Sequence, residues 1–207
     1  MRVRAKQARA AESYESILFA AAAEFSEKGY AGTSIATVAE RAGTQKGNVQ
    51  YHFRTKSDIV SALIARVFDG GRYLGAGIDP DSRGLRAIAT QTSFVAKRSV
   101  ESPFARAAIR LLDERAQVPI ALPTPYVGWI EQITKHLEEA VADGELTLAP
   151  STATETAWLI VAGFHGVKNV AIQLGEMDSI PYRSRELLTR HLRSLGVTEP
   201  GSYFPIG

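Results

Sequence analysis

The sequence predicts an all-α chain, and three observations carry that prediction. Apolar residues recur at helical rather than alternating spacing through almost every periodic segment of the 207 residues. Threonine, proline and glycine stand where helices are capped, started and stopped. No alternating strand pattern with turn punctuation appears.

The elements follow in order. Residues Arg9 to Lys28 place Ile17, Leu18, Ala21, Ala22 and Phe25 on one helical face, and Gly29 is the expected stop. Thr33 is the expected N-cap of a short helix carrying Ile35, Val38 and Ala39, which ends at Gly43. Thr44 is placed to cap a second short helix, about Gln45 to Tyr51. Thr55 with Asp58 three residues on reads as a capping box for a longer helix through Ile59, Leu63 and Val67. Glycines at 70, 71, 75 and 77 then weaken helix formation, and Asp79-Pro80 breaks it. Further helices are expected at about 82–101, 104–116, 126–143, 152–175 and 182–195, with Pro125 at a first helical position and Gly144 as a stop.

Composition narrows the function. At 45% hydrophobic and 22% charged residues the chain is globular. No apolar run approaches the roughly 18–20 residues that span a bilayer. The basic N-terminus lacks the pattern of an export signal. Cysteine is absent, which removes disulfides and thiolate chemistry. A cytoplasmic protein without a membrane partner is the simplest expectation. Charge is unevenly spread: residues 1–56 hold nine Lys or Arg against five Asp or Glu, whereas residues 57–207 hold fifteen against seventeen. The surplus of base in the first quarter points to an anionic partner there.

The stretch AGTQKGNVQYHFRTKSD, residues 42–58, interleaves basic and amide groups with Val49, Tyr51 and Phe53. Two short helices joined by a glycine-containing turn, the second polar at its start, form a helix-turn-helix pattern from about Thr33 to Tyr51. Val49 and Phe53 pack the second helix down, and Gln45, Lys46 and Asn48 remain near its exposed start. Lysine donates to guanine acceptors, and Gln or Asn pairs with adenine. His52 and Lys56 are placed to meet phosphates. A helical hairpin whose polar side is merely solvated has the same pattern.

From Ile17 to Leu63 the sequence resembles the TetR family of bacterial transcriptional regulators. The matching residues are Ile17, Ala21, Phe25, Gly29-Tyr30, Thr33-Ser34, Val38-Ala39, Ala42-Gly43, Lys46-Gly47, Tyr51-His52-Phe53, Lys56 and Leu63. The resemblance implies a homodimer, a three-helix DNA-binding head over about residues 1–56, and a helical effector-binding and dimerisation body over 57–207. It places Thr33, Ser34, Thr44, Gln45, Lys46, Asn48, Gln50, Tyr51, His52 and Lys56 at double-stranded operator DNA, which for a dimer is palindromic. Gln50 stands where the family carries a tyrosine whose hydroxyl meets a phosphate. For Tyr51, packing is favoured over phosphate contact.

The stretch ARAAIRLLDERAQVPIALPTPYVGWIEQI is similar to the γ-butyrolactone autoregulator receptor branch of that family. The pieces are Arg110-Leu111, a proline-rich loop from Pro119 to Pro125, and Pro125-Tyr126 with Trp129. AGFHGV, Ala162 to Val167, stands where the branch has a small apolar helix segment. The resemblance implies that Trp129 lines a pocket for a small lipophilic effector, such as a lactone with an alkyl tail; steadying a helix in the core is its other reading. Phe94, Leu111, Ile133, Val161 and Phe164 lie on adjoining helices as candidate wall residues, with core packing the favoured reading of each. His165 is a candidate donor to a ligand carbonyl, and a satisfied or solvent-facing histidine is its other reading. The branch's usual residues after Lys46-Gly47 are replaced by Asn48-Val49-Gln50.

The expected mechanism is a ligand-driven population shift that spreads the two heads and releases the operator. The helix from Thr55 towards Gly77 joins head to body, and its glycines are a candidate hinge. Dimerisation is expected through the last two long helices, with Trp158, Ile160, Val161, Leu187, Leu188 and Leu192 as apolar surface. An enzyme is not expected: the four histidines lack metal-type spacing, and GGRYLGAG at 70–77 lacks the ending of a phosphate loop. No cofactor or metal is implied. Two alternatives keep the regulator: one changes the effector to an antibiotic or other drug-like lipophile, and the other is a helical dimer that has lost its effector and responds to nothing.

Overall fold

The computed structural model describes residues 2–69, 72–73 and 81–205. The glycines at 70, 71, 75 and 77 and the Asp79-Pro80 break lie outside the described residues, as does any hinge built on them. Among the described residues there are nine α-helices: α1 (Arg2–Gly32), α2 (Ile35–Arg41), α3 (Lys46–His52), α4 (Lys56–Val67), α5 (Gly84–Glu101), α6 (Pro103–Asp113), α7 (Pro125–Ala142), α8 (Ala153–Gln173) and α9 (Ile180–Ser194). Phe68–Asp69 and Arg72–Tyr73 are two-residue strands. The chain forms two compact units, one of residues 1–69 with 102–123, the other of 70–101 with 124–207.

In the first unit α1 packs on α2, α4 and α6, and α2 on α3. Ile17, Leu18, Ala21, Ala22 and Phe25 are all buried, as their spacing predicts, and Val38, Val49, Phe53, Ile59, Val60, Leu63 and Leu111 complete the core. Burying each large apolar side chain contributes about 1.5–3 kcal/mol.

Three local expectations are corrected in this unit. Helix α1 begins at Arg2 rather than Arg9, because the run of Arg, Lys, Gln and Ala before it consists of strong helix formers. Gly29 is a kink with φ 70°, and helix resumes to Gly32. Ser34, not Thr33, caps α2: its hydroxyl accepts from Thr37 N, and Thr37 Oγ1 accepts from Ser34 N. Thr33 is buried, and its hydroxyl donates to Gly29 O at 2.8 Å. Likewise Thr44 does not cap α3; Gln45 stands at the N-cap without a side-chain bond. The Thr55–Asp58 capping box forms as the spacing predicts. Helix α4 runs through Ile59, Leu63 and Val67 as the spacing predicts, and ends at Val67.

In the second unit α5, α7, α8 and α9 pack on one another. Helix α5 starts without a Ser or Thr cap. Two carboxylates do that work: Glu145 accepts from Leu85 N at 2.9 Å and Glu139 from Gly84 N at 3.2 Å. Pro125 begins α7, and Gly144, with φ 74°, follows its end. One core cluster unites Leu85, Ile88, Ile133, Leu137, Ile160, Val161, Leu188 and Leu192. Ile160, Val161, Leu188 and Leu192 are therefore core of their own chain, the other of the two readings their spacing allows. Trp158 stays 53% exposed, and Leu159 and Val170 on the same helix are 47% and 58% exposed.

Candidate nucleic-acid interface and effector site

The turn between α2 and α3 relies on Gly43, whose φ of 62° suits a residue without Cβ. Val49 and Phe53 are buried and fix α3 from below. That leaves Gln45, Lys46, Gly47, Gln50 and Tyr51 exposed along one side of α3 and its cap. Tyr51 is 78% exposed, which corrects the expectation that it packs. His52 is half-buried, edge-on to the rings of Tyr14 and Tyr51. Ser34 is exposed, with its hydroxyl engaged in the cap of α2.

Several expected DNA-facing residues are committed within the chain. Asn48 Nδ2 donates to Thr44 Oγ1 at 2.9 Å and to Ser13 Oγ at 3.0 Å, so both Thr44 and Asn48 are tied to α1 and to each other. Thr33 is buried. Lys56 Nζ donates to Tyr30 O at 2.8 Å and Thr33 O at 3.0 Å, and lies 3.8 Å above the Tyr30 ring. Burial lowers its pKa from the usual lysine value. It therefore pins α4 to the end of α1 instead of reaching outward.

Two further residues at this surface lie outside the expected set. Arg54 is exposed directly after α3. Gly47 is exposed in the first turn of α3, and a Cβ added there meets nothing within 4 Å. The fold itself does not require its lack of a side chain. A glycine that weakens an exposed helix without an internal reason fits close approach of a partner to the backbone. Only its pairing with Lys46 in the sequence hinted at this.

In the second unit Trp129 and Ile133 come from α7, Val161, Phe164 and His165 from α8, and Phe94 from α5. Ile133 and Val161 are wholly core. Phe94, Trp129 and Phe164 share a second cluster with Val95, Ala96, Ala171 and Ile180. The indole of Trp129 meets the Phe164 ring edge-to-face at 4.9 Å, and its Nε1 is buried with no hydrogen-bond partner. His165 is engaged on both nitrogens: Asn169 Nδ2 lies 2.9 Å from Nε2, and Tyr126 Oη lies 2.8 Å from Nδ1. His165 thus takes the satisfied reading of the two that the sequence left open. Leu111 lies in the first unit, buried on α6.

Thr92, Phe164, Ser184, Leu188 and His191 line a cavity of about 20 Å³. Thr92 Oγ1, Ser184 Oγ and His191 Nε2 are buried there without partners. Burial lowers the His191 pKa from its usual value. Room for one water is the limit of such a space. Among the described residues no group of three or more His, Asp or Glu side chains is arranged to hold a metal ion, and no helix is long and apolar enough to cross a membrane.

A helix-turn-helix whose second helix shows a polar, uncluttered side, on an otherwise helical chain, defines a helix-turn-helix regulator. Comparison with known proteins gives the family. The family of bacterial regulatory proteins called tetR matches residues 17–63, and the tetracyclin repressor-like C-terminal domain matches residues 82–196. The chain belongs to the TetR family and is a TetR-type DNA-binding regulator; members of this family regulate transcription and are not enzymes. It is 29% identical over 167 residues to the A-factor receptor protein of Streptomyces griseus, covering 81% of this chain but only 58% of that protein's length. The CprB protein of Streptomyces coelicolor in complex with its operator superposes with a TM-score of 0.77 at 27% identity, covering 94% of each chain. A crystal structure of a gamma-butyrolactone receptor described as ArpA-like gives a TM-score of 0.67 at 25% identity, covering 90% of this chain and 99% of the other.

Proposed function

We propose that this regulator is a repressor released from a palindromic operator by a small lipophilic signalling molecule of the γ-butyrolactone type. Residues 1–56 are the DNA-binding part, and residues 57–207 bind effector and dimerise, in the cytoplasm. Gln45 and Lys46 meet base edges, while Gln50, Tyr51, His52 and Arg54 meet phosphates. The observation that carries the effector reading is Trp129, with its buried, unpartnered Nε1 beside Phe164. An orphaned buried donor costs about 1–3 kcal/mol, and a ligand carbonyl against the indole recovers it. Likeness to the A-factor receptor and to a gamma-butyrolactone receptor supports the same class. Effector binding favours a conformation in which the two heads no longer meet their half-sites together. A coupling of about 1–3 kcal/mol is enough to weaken operator binding up to about 150-fold.

The test starts with an operator selected from randomised duplexes by the full-length protein, followed by titration with synthetic γ-butyrolactones. Release by lactone is expected. Trp129→Phe keeps the ring and loses the N–H, so it should raise the lactone concentration needed about tenfold, the equivalent of about 1.4 kcal/mol, at unchanged operator affinity. Release by antibiotics and not by lactones would move the effector to the drug-like class.

A further inference from the structure

The end of α1 is the most heavily tied corner of the first unit. The kink at Gly29 interrupts the helix just before α2, so its last backbone groups need partners from elsewhere. Arg110 Nη1 donates to Ser26 O at 3.1 Å and Glu27 O at 2.8 Å. Glu114 Oε2 accepts from Tyr30 N at 2.6 Å, and Glu114 Oε1 accepts from Arg110 Nε at 2.9 Å. A Cβ at Gly29 would lie 2.3 Å from Glu114 Oε1, so glycine is required there both for its φ and for this carboxylate. Lys56 takes the Tyr30 and Thr33 carbonyls from the other side.

We infer that Glu114, held by Arg110, is a positioning residue for DNA recognition: it fixes the kinked end of α1 and through it the presentation of α2 and α3. The corner lies only four residues before Ser34, the cap of α2. A small rotation there is carried into the whole helix-turn-helix. Base-edge contacts depend on short, directional bonds, whereas phosphate contacts tolerate displacement. Loss of the clamp therefore lowers preference for the operator more than it lowers affinity for DNA as such. The inference rests on α2 and α3 being the DNA-binding element and is independent of the effector.

The experiment measures affinity for the selected operator and for a random-sequence duplex with the full-length protein. Glu114→Ala is expected to lose about tenfold or more on the operator, as loss of about one good base contact would do, with the random duplex within about twofold. Glu114→Gln retains an acceptor for Tyr30 N but turns an amide NH2 towards Arg110 Nε, so it is expected to recover only part of the preference. Gly29→Ala should be harmful in the parent and less so beside Glu114→Ala, where the clash with the carboxylate is gone. Equal losses on both duplexes, or none, in a variant with parental circular dichroism would overturn the proposal. Should Glu114→Ala fail to fold, Glu114→Asp decides: it keeps the charge but is too short to reach Tyr30 N while holding Arg110, and an unchanged preference would likewise overturn the proposal. A parent that selects no duplex strikes instead at the DNA-binding reading.

Discussion

Gly47 separates what the fold needs from what the surface is for. It is exposed in the first turn of α3, and an added methyl group meets nothing. Gly47→Ala should therefore stabilise the protein by about 0.5–1 kcal/mol, since alanine is the better helix former. In the proposed DNA-binding mode the same methyl would stand where the DNA backbone approaches, and operator affinity should fall several-fold. Thermal unfolding and duplex titration moving in opposite directions would confirm the role. Lys56 makes the converse case. As a phosphate contact, Lys56→Ala would lower the salt slope of DNA binding. In the structure its ammonium serves two carbonyls, so the substitution should cost about 1–3 kcal/mol of stability and leave the salt slope of the folded protein unchanged. The sequence made the residue types legible at these positions but not their commitments. Asn48, Thr44 and Lys56 have the chemistry of DNA contacts, and partners up to 35 positions away in sequence claim it first.

At the scale of elements, apolar spacing located every long helix, because periodicity is a property of each segment alone. Helix ends were less legible where distant side chains supply the cap, as Glu139 and Glu145 do for α5. The effector wall was equally divided. Ile133 and Val161 have the same apolar character as Trp129 and Phe164, and only packing shows them to be core. The small cavity between α5, α8 and α9 left no motif, since Thr92, Ser184 and His191 are ordinary residues until the helices meet. It has a pH signature. Burial holds the His191 imidazole below its ordinary pKa of 6.5, so the folded chain resists a proton that the unfolded chain accepts. Stability should fall as pH drops below about 6.5 and level off once the folded form also protonates. Comparing melting temperatures at pH 7.5 and 5.5 checks this, with His191→Gln expected to flatten the difference. A parent and variant with the same pH dependence would remove His191 as its source.

For the whole molecule, affinity for DNA depends on how many copies of the basic N-terminal part are presented together. Residues 1–56 carry a surplus of four positive charges, a modest number for one site. Joining two copies doubles the phosphates neutralised and the slope of log affinity against log salt. A candidate face for that second copy lies on α8: Leu159, Gly166 and Val170 recur at helical spacing and are exposed, and Gly166 has open space where a Cβ would stand. Beside them Tyr182, 68% exposed, and Leu187 line an open groove of about 530 Å³ between α8 and α9. Exposed apolar groups in such a row, with small residues between, favour close approach of a matching helix. Val170→Glu puts a charge at the C-terminal end of that row, on a side chain whose present exposure leaves the fold of the single chain undisturbed. Light scattering should then report a monomer, and the salt slope on the operator should fall to about half the parent's. A monomer that kept the parental slope would mean that one head makes all the phosphate contacts, and that the second copy serves something other than DNA.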